Sequence, residues 1–447
     1  MDDERIAAAE RFLADWLADE RVAGAGLAIV ADGEPIHTAG YGARDLATDA
    51  PATADTLYGV GSVTKSVTAL AVLRTVADTR LSLSDPVSDH LDVFGDEPRP
   101  PTVQELLTHT SGMPADGASV ALISRQIGGD PAAVPLSSPG DLDRHVAGAT
   151  ADRAGDERFR YYNTGYTLLG RLVATLHDRP FSEYVADELL APLGMDRAVL
   201  APSSYDELDD AATPYHPATG EPTPFPSKGT GAAGGLVASA RDLAAYLRFQ
   251  TTGEPAVVSG DDRRTAHAAH ATRQTYGDDT TQGYGYGWMR RPFDGETLIE
   301  HGGSIGVGSA YVGFLQESGL GVGLACNGSP EAHPQFAGPA LLSVLRGGEP
   351  TDTRFYRLRE RADRVAGDYE SYRGIQRATV AREGARITVE LDDALESRSF
   401  EAFPEDSDGE THRYETVAPD GARVPVRFVE TDDGTDLFYR RWRLHPV

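Results

Sequence analysis

The sequence predicts an α/β chain of the α+β type, in which one antiparallel sheet is flanked by helices, a mostly helical region is inserted, and a separate all-β domain follows. Three observations predict it. Two short apolar runs near the N-terminus meet at a "DGEP" turn, and glycine-punctuated runs with β character return only from about residue 283. The stretch between, about 85–250, carries helical periodicity and little strand signal. An early hairpin and late strands imply a single sheet assembled from both ends of one domain.

In chain order, residues 3–20 read as an amphipathic helix, and "AGAGLAIVADGEPIHTAG" reads as the hairpin. A second helix begins at or beside Ser62, because Val63, Val67, Leu70 and Leu73 follow helical spacing until "LSLSDPVSDHL", where Pro86 ends the regularity. "TVQELLTHTSG", "TGYTLLGRLVATLHD" and "SARDLAAYLRFQ" supply helices of the insert. After the late strands comes a helix near "FAGPALLSVLRG", and "GGEPTDT" reads as a linker. Beyond it, a short arginine-rich helix leads into strands with regularly spaced turns. The expected domains are therefore 1–347 and 348–447.

Composition narrows the function. The chain has 447 residues, a net charge of −28 and only two lysines, Lys65 and Lys228. Carboxylates recur along the whole chain, as expected of a surface adapted to strong salt screening. Such a surface excludes nucleic acid and anionic membranes as partners, since phosphate binding needs a basic face. The single cysteine, Cys326, lies in "GLGVGLACNG" and reads as a core residue of a buried strand. The acidic start lacks a basic n-region and an apolar h-region, and no apolar run is long enough to span a bilayer, so a cytoplasmic protein is expected.

The chemistry concentrates in three places. In "GSVTK", Ser62 and Lys65 share a helix face at i and i+3. Ordinarily such a serine is a cap and such a lysine is solvated. With 25 serines and two lysines, however, only about 0.1 chance matches to S-x-x-K are expected. "FRYYNTG" gives Tyr161 and Asn163, a Y-x-N element in a chain with two asparagines, and "EHGGSIG" gives His301, Gly303 and Ser304. Two rivals stand beside these. Gly302–Gly306 fits G-x-S-x-G, a nucleophile elbow if a helix follows Ser304. His267 and His270 have i, i+3 spacing, read as a solvated face because no third ligand is near. "GVG" at 59–61 lacks a phosphate-cradling pattern and reads as the tight lead into the Ser62 helix.

Taken together, "GSVTKSVTAL", "LLTHTSGMP", "FRYYNTGYTLLG", "PLGM", "AAGGLVASARDLAAYL", "YGYGW" and "EHGGSIGVGSA" resemble the serine β-lactamase and penicillin-binding-protein superfamily, above all its class C-like branch with esterases and D-aminopeptidases. The likeness covers about residues 8–345. It implies an antiparallel sheet flanked by helices, an acyl-enzyme on Ser62, proton transfer by Lys65 and Tyr161, and no cofactor or metal. It further implies that Asn163 binds a substrate amide or orients Lys65, that Gly303 lies in the substrate-binding strand, and that the backbone N–H groups of Ser62 and Ser304 form an oxyanion hole. Where these enzymes usually carry K-T-G, this chain has His301-Gly302-Gly303. That departure shifts the expected substrate toward a small ester, amide or short peptide, with β-lactamase or D,D-carboxypeptidase activity as the alternative and a non-catalytic binding protein as the rival of another class. Some relatives resemble this chain in carrying a lipocalin-like C-terminal barrel, and homo-oligomerisation is left open.

Overall fold

The computed structural model describes residues 1–114, 117–128, 139–152, 159–227, 231–253, 257–276, 279–405, 412–432 and 434–447. Lys228 lies outside them. The chain forms two compact units, Met1–Thr275 with Thr280–Gly338, and Tyr276–Asp279 with Pro339–Val447.

In the first unit, the hairpin predicted near the N-terminus is β1 (Gly24–Ala31) and β2 (Glu34–Asp45), edged by β3 (Ala50–Pro51). Short strands β4 (Tyr58–Gly59), β5 (Val199–Leu200) and β6 (Leu236–Ala238) make a small sheet in the order β4-β6-β5. The late strands are β7 (Ala271–Thr275), β8 (Thr281–Tyr284), β9 (Met289–Phe293), β10 (Glu296–Ser304), β11 (Ser309–Leu315) and β12 (Gly321–Cys326). The nine-stranded sheet runs β3-β2-β1-β12-β11-β10-β9-β8-β7, so β1 pairs antiparallel with β12, with Leu27 opposite Leu324. The sheet is thus closed between the two ends of the domain, as the hairpin and the late strands imply. β1, β11 and β12 are buried almost throughout, which explains their near-continuous apolar sequences. Cys326 sits fully buried at the end of β12.

The helix at Ser62 starts as a 3₁₀ turn, Gly61–Val63, and continues as Thr64–Asp78. It is a central helix, buried on every side from Thr64 to Leu73. Its small polar residues are therefore satisfied internally: Thr64 Oγ1 donates to Gly61 O at 2.6 Å, Ser66 Oγ to Val63 O at 2.8 Å and Thr68 Oγ1 to Ala232 O at 2.7 Å. Ser62 itself makes no capping hydrogen bond.

Four local expectations differ from the structure. Strand structure begins at Ala271, before the glycine-rich runs, because the polar edge strand β7 carries no apolar alternation. The insert contributes β5 and β6, too short to leave a periodic signature. The helix read into "TVQELLTHTSG" spans only Val103–Leu107, since His109 turns to φ 59°. Finally, His267 is buried rather than solvated, with Nε2 2.8 Å from Gln250 Oε1, while His270 Nε2 lies 2.8 Å from Thr265 O. The two Nε2 atoms thus have separate partners.

The second unit holds the arginine-rich helix, Arg354–Val365, and a closed barrel of β13 (Gly367–Glu370), β14 (Gln376–Glu383), β15 (Arg386–Asp393), β16 (Ser397–Pro404), β17 (Arg413–Val417), β18 (Arg423–Thr431), β19 (Gly434–Tyr439) and β20 (Trp442–Pro446). Neighbours in sequence are neighbours in the barrel, and β13 closes on β20. Alternation is clear in β14 and β15, where Ala378, Val380, Ile387, Val389 and Leu391 turn inward. With Tyr414, Val426, Phe428, Leu437 and Leu444 they fill the interior, so this barrel has a packed side-chain core.

Candidate active site

The site is built around the first turn of the Thr64–Asp78 helix. Gly61, at φ 53°, bends the chain from β4 into that helix, and a Cβ there would stand 2.5 Å from Ser304 N. A Cβ on Gly303 would stand 2.0 Å from Val60 O and 2.7 Å from Ser62 N. Glycine at both positions lets the end of β10 press against the Ser62 turn. The backbone amides of Ser62 and Ser304 are thereby brought side by side.

Ser62 is partly exposed, and its Oγ lies 3.0 Å from Lys65 Nζ. Lys65 is fully buried and also donates to Ala233 O at 2.6 Å, while its Nζ stands 4.8 Å from the centre of the Tyr161 ring and 5.6 Å from that of Tyr166. No carboxylate pairs with it among the described residues. Removing an ammonium from water costs several kcal/mol, on the order of the effective penalty per buried ion. Burial accordingly pushes the Lys65 amine well below the usual lysine range, toward its neutral form.

Tyr161 stands in the irregular segment before the helix Asn163–His177. Burial raises its phenol above the usual range, and the Ser62 side chain, which its hydroxyl approaches, opposes that rise. Lys65 and Tyr161 therefore both flank Ser62. Asn163, the first residue of the helix, is partly exposed and makes no hydrogen bond to Lys65, whose contacts are Ser62 and Ala233. Lys65 is thus held by Ala233 O, a carbonyl within the "AAGGLVASARDLAAYL" segment to which no role was assigned from the sequence.

His301 is buried on β10, with Nδ1 2.6 Å from Gly302 O and Nε2 3.2 Å from Tyr284 Oη. Burial and the nearby Lys65 push its ring down to about 3, so it is neutral near pH 7. A neutral ring that donates from Nδ1 to the carbonyl accepts from the Tyr284 hydroxyl at Nε2. Its ring centre lies 6.4 Å from that of Tyr161, so it borders the site. Ser304 is exposed at the end of β10, where its Oγ accepts from Gly306 N at 3.1 Å. A turn and then β11 follow it. The helix a nucleophile elbow requires is absent at that point, which removes the structural basis for Ser304 as nucleophile.

Two residues without an assigned role in the sequence join this cluster. His109 and Tyr284 are buried beside Tyr161, with the His109 ring 4.4 Å from Tyr161 and 5.0 Å from Tyr284. Both fall in segments that carried the superfamily resemblance, "LLTHTSGMP" and "YGYGW", but nothing in their spacing pointed to contact.

Residues 9–345 match the family described as Beta-lactamase. The chain belongs to the β-lactamase family. Its second unit matches a different family, described as the Pab87 octamerisation domain, over residues 350–445. Among solved structures, the chain is similar to the octameric penicillin-binding protein homologue from Pyrococcus abyssi, at 31% identity and a TM-score of 0.90 over 99% of this chain and 100% of that one. A D-amino acid amidase from Ochrobactrum anthropi SV3 shares the fold, at 23% identity and a TM-score of 0.64 over 77% of this chain and 99% of that one. Among curated proteins, Protein flp of Staphylococcus aureus (strain MW2) is 25% identical over 328 residues, 70% of this chain and 61% of that protein. The match therefore spans less than two thirds of that relative. Family match and solved neighbours thus agree on a β-lactamase-related fold for the chain. No described helix is long and apolar enough to cross a membrane.

Proposed function

We propose that the protein hydrolyses an ester or amide through an acyl-enzyme on Ser62. The observation that carries this reading is the 3.0 Å contact between Ser62 Oγ and a fully buried Lys65 that lacks a carboxylate partner among the described residues. In its neutral form Lys65 Nζ accepts the Ser62 proton as Oγ attacks the substrate carbonyl. The oxyanion that forms is held by the N–H groups of Ser62 and Ser304. Tyr161 passes a proton to the departing alcohol or amine, leaving the acyl group on Oγ. Water then attacks the acyl carbon, gives up its proton through the same residues, and the acid departs as Ser62 is restored. Asn163, at the start of its helix, is assigned to a substrate amide, and Gly303 keeps β10 close enough for the substrate to lie along it.

The absence of lysine and threonine at His301-Gly302-Gly303 favours esters, amides and short peptides over lactams with a carboxylate. A panel of p-nitrophenyl esters, D- and L-aminoacyl p-nitroanilides and a chromogenic cephalosporin, assayed in high KCl, tests this. Ester or aminoacyl turnover is expected to exceed cephalosporin turnover at least ten-fold in kcat/KM. Dominant cephalosporin hydrolysis would contradict the substrate class, and no turnover of any member would favour a binding protein.

The assembly we propose is a homo-oligomer formed through the C-terminal barrel. Phe403, Val429 and Phe438 are exposed on its outer wall, and a barrel matching an octamerisation domain supports their use as a self-association face. Light scattering is expected to give a multiple of 47.7 kDa, and Phe403→Glu with Phe438→Glu a smaller mass. A monomeric wild type would contradict it.

A further inference from the structure

His109 has no part in the chemistry above, yet its backbone is specialised. It follows the short helix Val103–Leu107 at φ 59°, in the left-handed region that non-glycine residues adopt uncommonly, asparagine, aspartate and histidine more readily than the rest. That turn presents two acceptors of one residue to one stretch of chain. His109 O accepts from Arg160 N at 2.8 Å, and His109 Nδ1 accepts from Tyr162 N at 3.0 Å. The two amides bracket Tyr161, which belongs to neither helix nor strand and so has no ladder to hold it. The imidazole packs against the Tyr161 ring as well, at 4.4 Å between centres, and Phe159, Tyr166 and Tyr284 enclose it at 5.0–5.4 Å.

We propose that His109 is the positioning residue for Tyr161, clamping the amides on either side of it so that the phenol stays directed at Ser62. The inference rests on the reading of Tyr161 as proton relay. An accepting Nδ1 requires the neutral ring with its proton on Nε2, an atom that is buried and without a partner among the described residues. Burial, together with Lys65, His301 and Arg273, pushes the ring well below the usual histidine range and keeps that form in place. Left-handed residues held by their surroundings cluster at active sites, and here the turn is what brings both His109 acceptors to residues 160 and 162.

Three variants test the clamp. His109→Gly keeps the left-handed turn and the carbonyl but removes Nδ1, whereas His109→Asn keeps a side-chain acceptor on a residue that tolerates this φ. His109→Gly is expected to lower kcat about 10- to 100-fold with KM changed less than about three-fold, as a misplaced catalytic group does. His109→Asn is expected to recover to within about five-fold of wild type. In a Tyr161→Phe background, His109→Gly is expected to cost no further activity, because a positioning residue acts through its target. Additive losses in that double-mutant cycle, or wild-type kcat in His109→Gly, would overturn the proposal. If His109→Gly does not fold, a folded His109→Asn with more than ten-fold loss would also overturn it. Should wild type turn over no substrate, the functional reading fails separately. A crystal structure of His109→Gly (or of His109→Asn if the glycine variant does not fold) then decides the clamp: for His109→Gly, residues 160–162 displaced support it and residues 160–162 unmoved refute it; for His109→Asn, the outcomes are reversed.

Discussion

Ser62→Ala is expected to lower kcat on the best ester or amide about a thousand-fold or more, the scale of loss when a covalent nucleophile is removed. The geometry makes this a clean substitution. Ser62 is partly exposed, gives no capping hydrogen bond to its helix, and offers its Oγ to Lys65 and Tyr161 rather than to the fold. Ser304→Ala is the informative control, since it removes only an Oγ that accepts from Gly306 N and leaves the backbone N–H beside Ser62 in place. It is expected to retain activity within about ten-fold, because a lost exposed hydrogen bond is worth only about 1 kcal/mol. Steady-state assays of the two variants side by side check this, and equal losses in both would contradict the assignment of roles.

Lys65→Met carries the second large effect. Its kcat is expected to fall by about a thousand-fold or more, on the scale of losing one member of a catalytic unit, because the Ser62 proton then has no base at 3.0 Å. In the wild type, kcat/KM is expected to rise with pH as the buried amine loses its proton, and this acid limb disappears in the variant. Stability follows the same ionisation. The folded-state pKa of Lys65 lies well below the unfolded value near 10.4, so between the two the unfolded chain binds the extra proton. Wild-type stability therefore gains from Lys65 as pH rises toward about 10, and loses as pH falls toward the depressed value. Unfolding midpoints of the two proteins at pH 7 and 9.5 should differ in a direction that moves toward the wild type at the higher pH. A pH-independent difference would contradict a depressed lysine.

The contacts that make these effects large were unequally legible in the sequence. Ser62, Lys65 and Tyr161 stood out because lysine and asparagine are so scarce here that S-x-x-K and Y-x-N rose above chance. That one sheet is assembled from both ends of the domain was legible from the early hairpin and the late strands, whereas the pairing of β1 with β12 was not. Nor was what holds the trio in place. Ala233 O orients Lys65 through a backbone carbonyl, and His109 grips the chain around Tyr161 through a left-handed turn, neither of which has a side-chain pattern to detect. His267 was misread for a related reason: its i, i+3 spacing to His270 resembles a solvated face, but it sits in the last turn of a helix that folds it against Trp288 and Phe314. The barrel strands were legible from alternation and turn spacing, whereas their closure depends on β13 meeting β20, a contact between the ends of the domain.

Intact mass after exposure to a fluorophosphonate probe in high KCl, on wild type, Ser62→Ala and Ser304→Ala, tests the acyl-enzyme most directly. One adduct on wild type and on Ser304→Ala, and none on Ser62→Ala, is the predicted result. An adduct that survives Ser62→Ala and disappears with Ser304→Ala would contradict it.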